Sequence, residues 1–377
     1  MIPRLKPDLG WKELAAALSF PGKDDVERFE HAFVQEMGQK HAVAFPYGRT
    51  GLVILLEALG LKGREIICPA YTCVVVPHAI VTSGNEPVFV DSQESDFNMD
   101  LNLVPEVITD KTGAIIATSI FGYPVDLDHL DEIRKRYPHV KIIQDCAHSF
   151  AAEWNGHPVQ KVGDAAIFGL NISKIITSIF GGMVTTDDDG LADRLRQLRR
   201  ECLKPASKMK SLRRLLYFLT VYPTFWEPLY GLVNRMERSG LLDRFSKYYD
   251  EALIDMPKDY LEMMTNVEAR VGLAQVKKYK EIISRRRRQA AEWRVLLQDE
   301  NNIILPPKVQ GATYSHFVCL TEDRQTWIER WRKKGVQLGQ LIEYCIPYMK
   351  AYSDGRIMEF PVSLKFSKTT INFPLSI

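Results

Sequence analysis

Six short apolar runs, separated by helical stretches, constrain the fold of this chain more than any other feature. They are Glu65–Cys68, Pro87–Val90, Gly113–Thr118, Val140–Gln144, Ala165–Leu170 and Met183–Thr186. Such runs read as buried strands. The helical stretches between them include Val74–Ser83 and Leu127–Tyr137. This alternation implies an α/β fold with a mostly parallel sheet and helices on both faces. Ligands of such sheets sit outside the carboxyl ends of the strands. Helices are also expected at Trp11–Ala17, Val26–Gln39 (Phe29, Phe33 and Met37 on one face), Thr50–Leu59 and Leu191–Glu201. A further helical stretch, Asn266–Leu297, leads towards a smaller C-terminal α/β domain. Its run Arg285–Arg288 reads as a solvated face. The division expected is residues 1–204, a segment 205–258, and residues 259–377.

The net charge of +2 on 377 residues gives no case for nucleic acid, and no helix-turn-helix, zinc-finger or RNA-binding signature is present. Cys68, Cys73, Cys146, Cys202, Cys319 and Cys345 are scattered, with no spacing that suits a metal. Isolated cysteines in apolar contexts point to reduced core residues, hence to the cytoplasm. Pro3, Pro7 and Asp8 interrupt any apolar run at the start, so no secretory leader is expected.

Two residues carry the chemistry. Asp145 ends the run Val140–Gln144, and Lys174 follows the run Ala165–Leu170 in a loop closed by Gly181 and Gly182. A carboxylate and a lysine at neighbouring strand ends suit pyridoxal phosphate (PLP). The amine can carry the cofactor aldehyde covalently, and the carboxylate keeps the pyridine nitrogen protonated. On these two residues alone, a surface lysine and an ordinary strand-end aspartate explain the pattern better than a cofactor does.

Ordered matches along the chain decide between them. They are Ile2–Gly10, His41–Leu52, Pro69-Ala70-Tyr71-Thr72, Pro87–Asp91, Phe121–Asp126, Asp145–Gly182, Gly272-Leu273-Ala274-Gln275, Phe360-Pro361-Val362 and Phe373-Pro374-Leu375. In these the chain resembles the DegT/DnrJ/EryC1/StrS sugar aminotransferases, PLP enzymes of fold type I. The resemblance implies transfer of an amino group from glutamate to a nucleotide-linked keto-sugar in polysaccharide or related glycan biosynthesis. It also implies a homodimer with sites at the subunit boundary. Lys174 would hold PLP and move protons, Asp145 would pair with the ring nitrogen, His148 would contact the ring oxygen, and Ala147 would lie under the ring. Gly48, Arg49 and Thr50, opening a helix, would hold the phosphate. Cys73, Gly169 and Asn171 complete the expected cofactor contacts.

Several positions depart from the family pattern. Gly169 stands where a serine usually bonds the phosphate, and Cys73 where an aromatic residue stacks on the ring. Leu261 and Met263 replace an Asn-x-Arg reaching from the partner subunit, and Ile179-Phe180 replaces Gly-Glu. A non-catalytic homologue with a degenerate phosphate site is therefore the alternative reading. A sugar dehydratase of similar sequence is disfavoured, because that branch replaces the lysine by histidine. The segment 205–258 is aromatic, with Lys204, Lys208, Lys210, Arg213 and Arg214 at its entrance. Two outcomes are open for it. Tyr217, Phe218, Phe225 and Trp226 enter a membrane interface while the basic residues face head groups, or a helical hairpin packs on the protein.

Overall fold

The computed structural model describes residues 1–239, 250–353 and 359–375. Its centre is a seven-stranded sheet: β1 (His41–Phe45), β2 (Glu65–Pro69), β3 (Glu86–Val90), β4 (Thr112–Thr118), β5 (Lys141–Asp145), β6 (Ala165–Gly169) and β7 (Gly182–Thr186). The strand order is β1-β7-β6-β5-β4-β2-β3. The pairs β2/β3, β2/β4, β4/β5 and β5/β6 are parallel, and β7 runs antiparallel to both β1 and β6. The expected mostly parallel sheet is therefore present, and each of the six apolar runs is a strand to within a residue. The seventh strand, β1, was not among them.

Helices cover both faces. On one side α1 (Trp11–Leu18), α2 (Asp25–Met37), α9 (Asn266–Val276) and α10 (Tyr279–Leu297) stack below the sheet. There Phe29, Phe33 and Met37 are buried as their spacing predicts. On the other side lie α3 (Gly48–Ala58), α4 (Val75–Thr82) and α6 (Asp189–Cys202), while α5 (Leu127–Arg136), in the crossover to β5, packs Leu127, Leu130 and Ile133 into the core shared with α2. Interior apolar side chains on both faces give strands that are hydrophobic throughout rather than alternating. The C-terminal part has its own core around Trp293, Trp327, Trp331 and Phe373, an antiparallel pair β8 (Phe317–Leu320) and β9 (Thr370–Phe373), and helices α11 (Arg324–Lys333) and α12 (Pro361–Thr369). The first residues of the chain join this part: Ile2 bridges Val336.

The arginine run is not a solvated face. Arg286 is 5% exposed and donates to the Ser315 carbonyl at 2.9 Å. Arg287 donates to the Ala312 carbonyl at 2.8 Å, and Arg285 pairs with Asp8. The loop before β8 leaves carbonyls without ladder partners, and buried carbonyls need donors. Arg287 and Arg288 are the exposed two of the four, and Arg288 pairs with Glu292.

The 205–258 segment is helical where it is described, and residues 240–249 lie outside the described residues. It contains α7 (Lys208–Val221) and α8 (Glu227–Arg238). Helix α7 is inverted relative to the membrane expectation. Lys210 and Phe218 are buried, Arg214 is 11% exposed in its side chain, and Tyr217 packs on Phe180 at 4.9 Å. These residues face the protein and not head groups, because the backbone at 259–263 offers Lys210 three carbonyls and Asp259 offers Arg214 a carboxylate. The packed hairpin thus accounts for the inward face. Met209, Leu212, Leu216 and Trp226 are about half exposed or more. Among the described residues no helix is long and apolar enough to cross a membrane.

Candidate active site

The carboxyl ends of β4, β5 and β6 bring Thr118, Asp145 and Gly169 together beside Ala147 and Lys174. Asp145 is the last residue of β5 and is 4% exposed. Its Oδ1 accepts the Ala147 N–H at 3.0 Å and its Oδ2 accepts the Thr118 hydroxyl at 3.3 Å. No cation bonds it among the described residues. Burial raises its pKa, opposed by the Ala147 N–H, the Lys174 charge and Thr118. A protonated ring nitrogen would supply the missing counter-charge, so the pocket fits a pyridinium.

Lys174 leaves the loop after β6, its N–H bonded to the Asn171 carbonyl at 3.0 Å. Its Nζ makes no hydrogen bond or ion pair among the described residues. Burial lowers its pKa, with Cys73 and Asp145 opposing. A lowered pKa favours the unprotonated amine that a nucleophilic lysine requires. Gly169 faces the same space: a Cβ there would meet Ala147 Cβ and Lys174 Cε, each at 3.5 Å. Asn171 is exposed, and its Oδ1 accepts the Ser173 N–H at 3.0 Å, so its side chain shapes the lysine loop.

His148 also lies here. Its Nδ1 accepts the Phe121 N–H at 3.4 Å, which leaves Nε2 as the donor of the neutral ring. Burial, then Lys174 and His316, hold its pKa well below the usual histidine value. His316, absent from the residues expected, stands 5.7 Å from His148 ring to ring and is itself held neutral by burial, Arg286 and Lys174. It is carried in by the turn at Phe121-Gly122, whose carbonyls accept the Ser315 and Thr313 N–H groups at 2.9 Å each. A histidine just before an apolar strand was its only sequence signal.

The turn expected to hold a phosphate opens α3 and presents main-chain N–H groups, while its side chains are bonded elsewhere. Tyr47, in extended conformation, precedes α3 without capping it by a side chain. The Gly51 N–H is the first to join the helical ladder, on Tyr47. The N–H groups of Gly48, Arg49 and Thr50 thus lie at the positive end of the helix. A Cβ on Gly182 would collide with Gly48, so β7 must carry glycine there. The Thr50 hydroxyl is spent on the Tyr260 carbonyl at 3.0 Å, and Arg49 donates to the Asp255 carbonyl at 3.1 Å. Neither side chain points its donors only at an anion. Tyr71, the ring nearest Cys73 in sequence, is wholly buried and bonds Thr370 at 3.1 Å, so it belongs to the packing between the two cores. Gln275, which ends the matched segment Gly272–Gln275, is structural: its side chain bonds the Asp8 carbonyl, Glu13 and the Thr177 N–H, fastening the lysine loop to the N-terminal segment.

Comparison with known proteins gives the family. A GDP-perosamine synthase of Caulobacter vibrioides is 30% identical over 293 residues, covering 78% of this chain and 67% of that protein. One from Escherichia coli O157:H7 is 26% identical over 355 residues, covering 93% and 84%. In fold, the aminotransferase TlmJ from Streptoalloteichus hindustanus superposes with a TM-score of 0.77 at 22% identity, covering 99% of this chain and 93% of that one. The family model described as the DegT/DnrJ/EryC1/StrS aminotransferase family matches residues 17–377. The chain belongs to the DegT/DnrJ/EryC1/StrS aminotransferase family and is a PLP-dependent sugar aminotransferase.

Proposed function

We propose that this enzyme moves an amino group from glutamate onto the keto carbon of a nucleotide-linked sugar, with PLP held between Asp145 and Lys174. One observation carries the placement. Among the described residues, a buried carboxylate without a cation ends one strand, and a half-buried amine without a hydrogen bond follows the next. When bound, the cofactor supplies an electron sink. The chain's own residues do the rest. Asp145 holds the proton on the ring nitrogen. Lys174 Nζ holds the cofactor and, once displaced by the amino donor, carries the proton between carbon atoms. His148 offers its Nε2–H to the ring oxygen, with His316 behind it. The first turn of α3, from Gly48 to Thr50, takes the phosphate through main-chain N–H groups. Ala147, Gly169 and Cys73 shape the walls.

Related enzymes named for GDP-perosamine and for spore coat polysaccharide support a nucleotide-sugar substrate in polysaccharide biosynthesis. They favour catalysis over a silent homologue. Six unpaired cysteines support a reducing cytoplasm. Exposed Trp11 (73%) and Phe20 (97%) support a homodimer. The outward face of α7, with Met209, Leu212 and Leu216 beside the exposed Lys208 and Arg213, supports a peripheral contact with an anionic membrane. Incubation of the PLP-loaded protein with L-glutamate should release one 2-oxoglutarate per subunit. No release with glutamate or any other amino acid overturns the transferase reading.

A further inference from the structure

We propose that Arg214, carried by α7 of the 205–258 segment, is a positioning residue for the phosphate turn, bracing from within the same chain what Leu261 and Met263 do not reach. The inference rests on PLP binding at the first turn of α3.

The geometry converges on Tyr47, the residue just before that turn. Arg214 Nη2 donates to the Tyr47 hydroxyl at 2.7 Å and to Asp259 Oδ2 at 2.7 Å. The Tyr47 hydroxyl in turn donates to Asp259 Oδ1 at 2.6 Å. The three groups close a ring of bonds, so the phenol has one position. On its other edge Arg214 pairs with buried Glu268, Nε to Oε1 3.0 Å. Its guanidinium lies over the Phe180 ring, 4.1 Å from the centroid. Phe180 leads directly into Gly181-Gly182, the wall that presses on Gly48. Arg214 therefore touches both sides of the turn: Tyr47 before α3 and the strand entry opposite it.

Lys210, one helical turn earlier, holds the backbone stretch that carries Asp259. Its Nζ donates to the carbonyls of Glu262 at 2.7 Å and Met263 at 3.1 Å. The neighbouring Tyr260 carbonyl takes the Thr50 hydroxyl. The stretch 259–263 is thus clamped between α7 and α3, and the position of the α3 N-terminus follows from it. Main-chain N–H groups bind an anion only when held in the right place, because a phosphate pays for every degree of freedom they keep. Cations that never touch the anion can set its affinity this way.

Removing a buried charge risks the fold, since Glu268 and Asp259 lose their partner. Two milder variants avoid this. Tyr47→Phe deletes the hydroxyl and leaves the Arg214–Asp259–Glu268 cluster intact. Arg214→Lys keeps the charge and loses the fork. Apoenzyme is titrated by absorbance with PLP and, separately, with pyridoxal, which lacks the phosphate. Both variants should bind PLP about tenfold more weakly and pyridoxal as wild type does. The double variant should be no worse than about the weaker single one. Equal loss for both ligands, or unchanged PLP affinity, overturns the proposal even though the cofactor reading stands. A wild type that binds neither ligand overturns that reading, and this proposal with it.

Discussion

Gly169 lies against Lys174: a Cβ built on it would stand 3.5 Å from Lys174 Cε, in ordinary van der Waals contact. The position is open, and its backbone needs no left-handed conformation. Gly169→Ser is therefore expected to fold and to add a hydroxyl near the cofactor. One added bond to a charged phosphate contributes about 1.5–3 kcal/mol. PLP affinity, read by absorbance titration, should rise roughly tenfold or more. Weaker binding would mean that the phosphate lies elsewhere. Gly182→Ala is the contrast: its Cβ meets the Gly48 backbone, which cannot yield, and cofactor binding should be lost.

With the ring nitrogen placed at Asp145, the proposed function predicts that this residue acts through charge. Asp145→Asn keeps the shape and the Ala147 contact but cannot hold the ring nitrogen protonated. The half-reaction with the amino donor, followed by stopped-flow absorbance, should slow by about 10²-fold or more. A near-normal rate would show that the ring nitrogen is not at Asp145.

What the residues alone disclosed and what they hid follow from burial. Five of the six strands were legible because both their faces are largely buried, which leaves unbroken apolar runs; the edge strand β3 is only partly buried. His41–Phe45 was hidden because it runs straight into the phosphate turn and was read as part of that motif. The antiparallel direction of β7 depends on the path of the loop 170–181, which has no periodicity. Asp145 and Lys174 were legible from their places at strand ends, but only ordered resemblance raised them above common alternatives. His316 stayed hidden because its role depends on a turn at Phe121-Gly122, distant in sequence. Arg286, Lys210 and Arg214 were misplaced for one reason: charge in sequence reads as solvent-facing, and their partners are carbonyls and carboxylates brought in by the fold.

The two site histidines predict a pH dependence. Burial, with Lys174 and His316 acting on His148, and Arg286 and Lys174 acting on His316, depresses both pKa values. In the unfolded chain they protonate near pH 6.5. Below that value the unfolded state binds more protons, so stability falls as pH falls and is complete above about pH 6.5. Each histidine contributes a slope of up to about 1.4 kcal/mol per pH unit. Chemical denaturation of the apoprotein between about pH 5 and 6.5 should show a shallower slope for His316→Gln than for wild type. Parallel slopes would mean that His316 is charged in the folded protein.

The outward face of α7 predicts a salt-sensitive membrane contact. Wild type should float with anionic vesicles at low salt and not with neutral ones. Leu212→Glu with Leu216→Glu should abolish flotation and leave the PLP absorbance intact. If the double variant instead changes a dimer into a monomer, this face is a subunit interface and the membrane reading fails.

The central claim is that Lys174 carries the cofactor, and covalent trapping tests it most directly. Borohydride reduction of the PLP-loaded protein, followed by peptide mass analysis, should place one pyridoxyl group on the peptide containing Lys174 and none in Lys174→Ala. A colourless protein in excess PLP, or a pyridoxyl group on another lysine, would contradict the account.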